Sequence, residues 1–115
     1  CFEDLEIWKE GMRLCSEISK TVITISTVTL FELFAGATDE QKWKDVQVLT
    51  DDVPIIPFTK EISEEAAKIS HELRRKNKMI EFRDIFIAAT AKINGIPVKT
   101  INKKHFERID DLVVI

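Results

Sequence analysis

Arg83-Asp84-Ile85-Phe86-Ile87-Ala88-Ala89-Thr90-Ala91-Lys92-Ile93-Asn94-Gly95-Ile96-Pro97-Val98-Lys99-Thr100-Ile101-Asn102 is the stretch that decides the fold. Residues 83–94 are apolar nearly all round, the pattern of a central, buried helix. Asn94-Gly95 ends it, because glycine readily takes the left-handed conformation that closes a helix. Residues 96–101 then read as a strand. Upstream, Ile62, Ala66, Ile69 and Leu73 recur at helical spacing and predict a helix over 61–76. Pro54-Ile55-Ile56-Pro57-Phe58 is too short and proline-flanked for a helix and reads as a strand. Residues 39–50 predict a helix with Trp43, Val46 and Leu49 inward, after an exposed Asp51-Asp52 turn is set aside before Pro54. Ser26 or Thr27 caps a helix running to Ala35, with Gly36 just past its end. Thr21–Ile25 is β-branched throughout and reads as a strand, and residues 3–20 predict a helix on Leu5, Trp8, Met12, Cys15 and Ile18. Downstream, residues 102–106 form a polar turn anchored by Phe106, and residues 112–115 a last strand. Strands separated by helices at these spacings mean an α/β fold with a mostly parallel sheet flanked by helices. In such sheets ligands lie outside the carboxyl ends of the strands.

Composition narrows the function classes. The 115 residues are 44% apolar and 32% charged, which is globular and the size of one domain. No apolar run is long enough to span a membrane, and the acidic start Cys1-Phe2-Glu3-Asp4 lacks the basic region of a secretory signal. Cys1 and Cys15 are too few for a disulfide framework and have no zinc spacing, so both read as reduced thiols of a cytoplasmic protein, Cys15 in the core. The net charge of −3 hides an asymmetry: residues 1–57 carry 5 Lys/Arg against 11 Asp/Glu, residues 58–115 carry 12 against 9. That balance argues against a nonspecific duplex-DNA binder, yet allows a basic surface in the second half.

Three side chains stand out. Glu32 lies in the otherwise apolar run Val28–Phe34, either on the solvent edge of its helix or paired or coordinated in a site. Asp84 opens the apolar helix and has a capping explanation, since a carboxylate in a first turn meets free N–H groups and the positive end of the dipole. Asn102 follows the 96–101 strand at the ligand-facing edge, where an Asx turn is the plainer account; Thr100 can share its side of the strand. His71 reads as a surface residue and His105 as a packing or hydrogen-bonding one. With no second histidine at ligand spacing, zinc is not expected. No phosphate-binding glycine loop or Ser-His-Asp arrangement is present.

Three segments in order carry a resemblance. Ile25–Ala37 is similar to the Glu-bearing helix of PIN-domain ribonucleases. Arg83–Ala91 resembles that family's D-x-x-I-A-A-x-A helix, and Thr100–Ile109 its closing T-x-N-x-x-[acid]-F-x-R-[hydrophobic] signature. The likeness covers roughly residues 22–115 and is nearest to VapC-type toxins of toxin–antitoxin pairs. It implies a PIN-like three-layer α/β fold in a single domain over 1–115. It also implies a metal-dependent endoribonuclease that gathers acidic groups around Mg²⁺ or Mn²⁺, ions that take hard oxygen ligands. By the match Glu32 and Asp84 are the metal carboxylates, and Asn102 is a catalytic group at the fourth position of the cluster, which holds Asp in some members and Asn in others. His105 stands where many relatives have an acid. An RNA substrate, a cognate antitoxin protein and a homodimer follow from the same likeness. Arg74, Arg75, Lys103 and Lys104 are candidate phosphate contacts. The antitoxin is expected to lay a helix between the helices at 3–20 and 27–35.

The family begins with a strand ending in an Asp that has no counterpart here. The expectation is therefore an N-terminally incomplete domain whose sheet is one strand short. Two rival classes remain: a PIN-like interaction module without catalysis, and a receiver-like phosphoacceptor. The second lacks the acidic pair expected after a first strand.

Overall fold

The computed structural model describes residues 24–115. The predicted helix over 3–20, the Cys15 core position, most of the 21–25 strand and one wall of the expected antitoxin groove lie outside the described residues. The chain divides into two compact units, one ending at Pro57 and the other running Phe58–Ile115. The charge balance changes sign at the same boundary.

In the first unit, β1 (Ile25–Ser26) leads into α1 (Thr27–Gly36), followed by α2 (Glu40–Thr50) and β2 (Ile55–Ile56). β1 and β2 pair in parallel, Ile25 with Ile55 and Ser26 with Ile56, and the Ile25 N–H donates to the Pro54 carbonyl at 3.2 Å. The strand expected over 54–58 is only two residues long. Proline offers no N–H, so Pro54 and Pro57 bracket what the ladder can use.

Ser26 caps α1: its hydroxyl accepts from the Thr29 N–H at 3.0 Å. Gly36 is the last helical residue rather than the residue past the end; Ala37 takes the cap position, and its N–H donates to Phe34. Asp39 caps α2 by accepting from the Lys42 N–H at 2.8 Å. Val46 and Ala37 form the buried centre, with Leu33, Phe34 and Leu49 packed on it. Trp43, expected inward, is half exposed and lies against the Phe34 ring at a centroid distance of 4.5 Å.

In the second unit, α3 (Lys60–Arg75) packs along α4 (Phe82–Asn94), and the short α5 (Lys103–Phe106) packs on α4. Thr59 caps α3 by accepting from the Ile62 N–H. All four residues of the predicted stripe, Ile62, Ala66, Ile69 and Leu73, are buried. On the facing helix Ala88 and Ala89 are fully buried and Ala91 nearly so. Small side chains there let the two helices pack closely, which is the physical content of the Ile-x-x-Ala-Ala pattern. Thr90 is buried too, and its hydroxyl donates to the Phe86 carbonyl at 2.7 Å. α4 closes on Gly95 at φ +63°, the left-handed conformation expected of it.

The strands expected at 96–101 and 112–115 contract to one parallel bridge between Val98 and Val114. Val98 donates to the Val113 carbonyl at 2.8 Å and the Ile115 N–H donates back to Val98 at 2.9 Å. Pro97 removes a donor beside the bridge, and Lys99 and Ile101 face solvent. Every strand pairing among the described residues is parallel. The fold is α/β.

Candidate functional site

Asp84 is the third residue of α4, and its side chain is only 18% exposed. It is the acidic residue of the first turn, as expected, while the N-cap residue is Glu81, whose side chain makes no cap bond. Its carboxylate lies at the positive end of the helix dipole. The side-chain partner of Asp84 is His105, with Nδ1 3.0 Å from Oδ2. The two residues are 21 apart in sequence.

His105 reaches Asp84 because its turn is anchored. Phe106 and Ile109 are buried, and the Ile109 N–H donates to the Phe106 carbonyl at 3.1 Å. Two ties join the following residues to the loop before α4. Arg108 donates to the Met79 carbonyl at 3.1 Å, and the Lys76 ammonium lies 3.0 Å from an Asp110 carboxylate oxygen. That contact raises the Lys76 pKa and lowers that of Asp110, in both cases chiefly through their mutual hydrogen bond. The F-x-R-[hydrophobic] signature thus holds the last turn against the helix that carries Asp84. The hydrogen-bonding reading of His105 holds, and its partner is the leading candidate acid.

The other candidates are placed as follows. Asn102 is exposed at the head of α5 and its side chain makes no cap bond; its N–H donates to the Thr100 hydroxyl at 3.0 Å, and its carbonyl accepts from the His105 N–H at 3.1 Å. The structure therefore brings Asp84 and His105 together, with Asn102 supporting the His105 turn through its backbone. Glu32 is half-buried on α1 in the first unit, with partners of its own. Lys103 and Lys104 are exposed immediately before His105. At the end of α3, Arg74 is exposed while Arg75 pairs with Glu72. His71 is exposed, as expected.

Asp84 and Glu32 offer hard oxygens, the donor type that suits Mg²⁺ or Mn²⁺. Among the described residues no three His, Cys, Asp or Glu side chains gather into a group that could hold an ion. No helix among them is long and apolar enough to cross a membrane.

The fold has a family counterpart. The PIN domain family model matches residues 5–112, and the chain belongs to that family. Among its relatives, Ribonuclease VapC1 of Methanocaldococcus jannaschii is 31% identical over 87 residues, 76% of this chain and 64% of the relative. Ribonuclease VapC of Rickettsia bellii is 33% identical over 98 residues, 79% of this chain and 73% of the relative. The chain therefore spans somewhat under two thirds of the length of the first of these and somewhat over two thirds of the second. Two solved structures share the fold. VapBC2 from Rickettsia felis, bound to a DNA fragment from its promoter, superposes with a TM-score of 0.81 at 25% identity, covering 94% of this chain and 83% of that one. VapBC-1 from nontypeable Haemophilus influenzae gives 0.80 at 26% identity, covering 91% and 81%.

Proposed function

We propose that this protein is a metal-dependent endoribonuclease of the VapC type, the toxin of a toxin–antitoxin pair, cleaving RNA phosphodiester bonds. The observation that carries the reading is Asp84. It is a largely buried carboxylate held by a partner from the closing signature, in a PIN-domain chain whose relatives are named as VapC ribonucleases. Capping alone does not account for it.

In this reading Asp84 and Glu32 hold Mg²⁺ or Mn²⁺, with Asn102 as the neutral third group. The ion, when bound, would polarise the scissile phosphate and lower the pKa of a water. The chain's own part is to bind and orient. Helix α4, fixed on α3 by its alanines, presents the Asp84 carboxylate in a defined direction. Lys103 and Lys104, exposed beside it in sequence to His105, attract the phosphate backbone and steer the strand toward that carboxylate. The net positive balance of the second unit serves the same end. An antitoxin partner, a homodimer and a cytoplasmic setting belong to this proposal through the VapC likeness.

The test is incubation of the full-length protein with single-stranded RNA in Mn²⁺ or Mg²⁺. Internal cleavage that stops on chelation and returns with added Mn²⁺ is expected. A well-folded protein that leaves RNA intact under every divalent ion would favour the rival reading, an interaction module without catalysis.

A further inference from the structure

We propose that Asn94-Gly95 is a self-modification site, a side-chain amide that converts to an acid only when the last turn of α4 unwinds. Asn94 is the one asparagine of the three in the chain that glycine follows. Glycine puts no side chain in the way of its own nitrogen, which can therefore attack the amide before it. In that step the Gly95 nitrogen gives its proton to solvent and bonds to Cγ of Asn94. The Cγ–Nδ2 bond breaks, and the nitrogen leaves as ammonia with a proton taken back from solvent. Water then opens the cyclic imide at either carbonyl, leaving aspartate or isoaspartate at position 94. One water is consumed and one ammonia released. Both residues are exposed, and a Cβ added at Gly95 would meet nothing within 4 Å, so water reaches the pair.

The folded backbone holds the reacting atoms apart. Helical side chains point back toward the N-terminus. The Asn94 amide does so: Nδ2 donates to the Thr90 carbonyl, four residues earlier, at 2.8 Å. Attack needs that amide to swing forward over Gly95. The Gly95 N–H is itself engaged, donating to the Lys92 carbonyl at 3.2 Å, and the Ile96 N–H donates to the Ala91 carbonyl at 3.0 Å. The Asn94 and Gly95 bonds must therefore open together before the ring can close. The product cannot restore them. A carboxylate has no proton to donate to the Thr90 carbonyl, and its charge falls at the negative end of the α4 dipole. Isoaspartate also lengthens the backbone just ahead of Val98, which disturbs its bridge to Val114. The change runs one way and marks each chain whose α4 end has opened.

The test incubates the full-length protein in mildly alkaline native buffer and in urea above its unfolding midpoint, with peptide mass mapping of aspartate and isoaspartate at position 94. The native rate should be about tenfold or more below the urea rate, since two hydrogen bonds must open first. Ile93→Gly keeps the Asn-Gly pair and its acceptors, removes an exposed side chain and loosens the last turn. It should raise the native rate about fivefold and leave the urea rate unchanged. In the wild type, the Gly95 and Ile96 amides should exchange with solvent faster than those of Ala88 and Ala89 in the middle of α4. Equal rates in native buffer and urea would overturn the proposal, because the folded turn would hold nothing back. A folded Ile93→Gly with the wild-type native rate, or Gly95 and Ile96 amides exchanging no faster than those of Ala88 and Ala89, would overturn it by moving the gate away from the last turn. If Ile93→Gly does not fold, the wild-type rates and the amide exchange carry the test.

Discussion

Leu73→Ala is the perturbation that most directly probes what supports the Asp84 helix. Leu73 is fully buried in α3, on the face that packs along α4. The substitution removes three carbons, which at ~0.8 kcal/mol per methylene amounts to about 2.4 kcal/mol of lost transfer energy. Leu73 is completely buried, so the vacated volume lies inside the packed interior rather than at the surface. A cavity term therefore adds to the loss, and a total of about 3–4 kcal/mol is expected, within the range for buried leucines. In urea, with a slope of about 1.5 kcal/mol per molar, this moves the unfolding midpoint down by about 2 M. Val48→Ala is the control: that side chain is 77% exposed on α2, so its removal should stay within about 0.5 kcal/mol. Equilibrium unfolding followed by circular dichroism measures both. A loss below about 1 kcal/mol for Leu73→Ala would refute the claim that α3 and α4 form a tightly filled interface.

Three further outcomes follow from the same structure. Gly95→Ala should cost about 1 kcal/mol, seen as a lower melting temperature, because the residue sits at φ +63° while open space surrounds the new methyl, so the penalty is conformational alone. Asp110→Asn should flatten the acid limb of stability. The Asp110 pKa is lowered in the folded state by Lys76, so its contribution is present above the unfolded carboxylate pKa and lost as pH falls through the lowered folded value. Wild type and variant melting curves should therefore converge in acid, and a gap persisting there would contradict the assignment. Glu32→Gln should erase the rise in melting temperature that Mn²⁺ gives the wild type, a rise worth about 2.7 kcal/mol at a hundredfold excess over Kd; an unchanged Mn²⁺ response would take Glu32 out of the site.

The helices were legible because their information is local. The spacing of Ile62, Ala66, Ile69 and Leu73 places four side chains on one face whatever the rest of the chain does, and all four are buried. Gly95 likewise announced the end of α4. The strands were overdrawn because a strand's extent depends on its partner. Residues 96–101 have strand-like composition, yet only Val98 meets Val114, and prolines limit the donors there and at 54–57. The site was half legible. Asp84 stood out at the head of an apolar helix, and His105 read as a hydrogen-bonding residue at a position where many relatives have an acid. Their contact was not visible, since nothing in the sequence marks a hydrogen bond spanning 21 positions. The first-turn placement of Asp84 stands, and the His105 contact is added to it.

RNA cleavage by Asp84→Asn measures the central claim most directly, provided the folded fraction is followed in the same samples. Asparagine keeps the size of the side chain and an oxygen that can accept from His105, and no cap bond is lost. Folding stability should change by about 1 kcal/mol or less. The account predicts a folded variant with no detectable Mn²⁺-dependent cleavage of an RNA that the wild type cuts. A folded Asp84→Asn protein that cuts at the wild-type rate would contradict it.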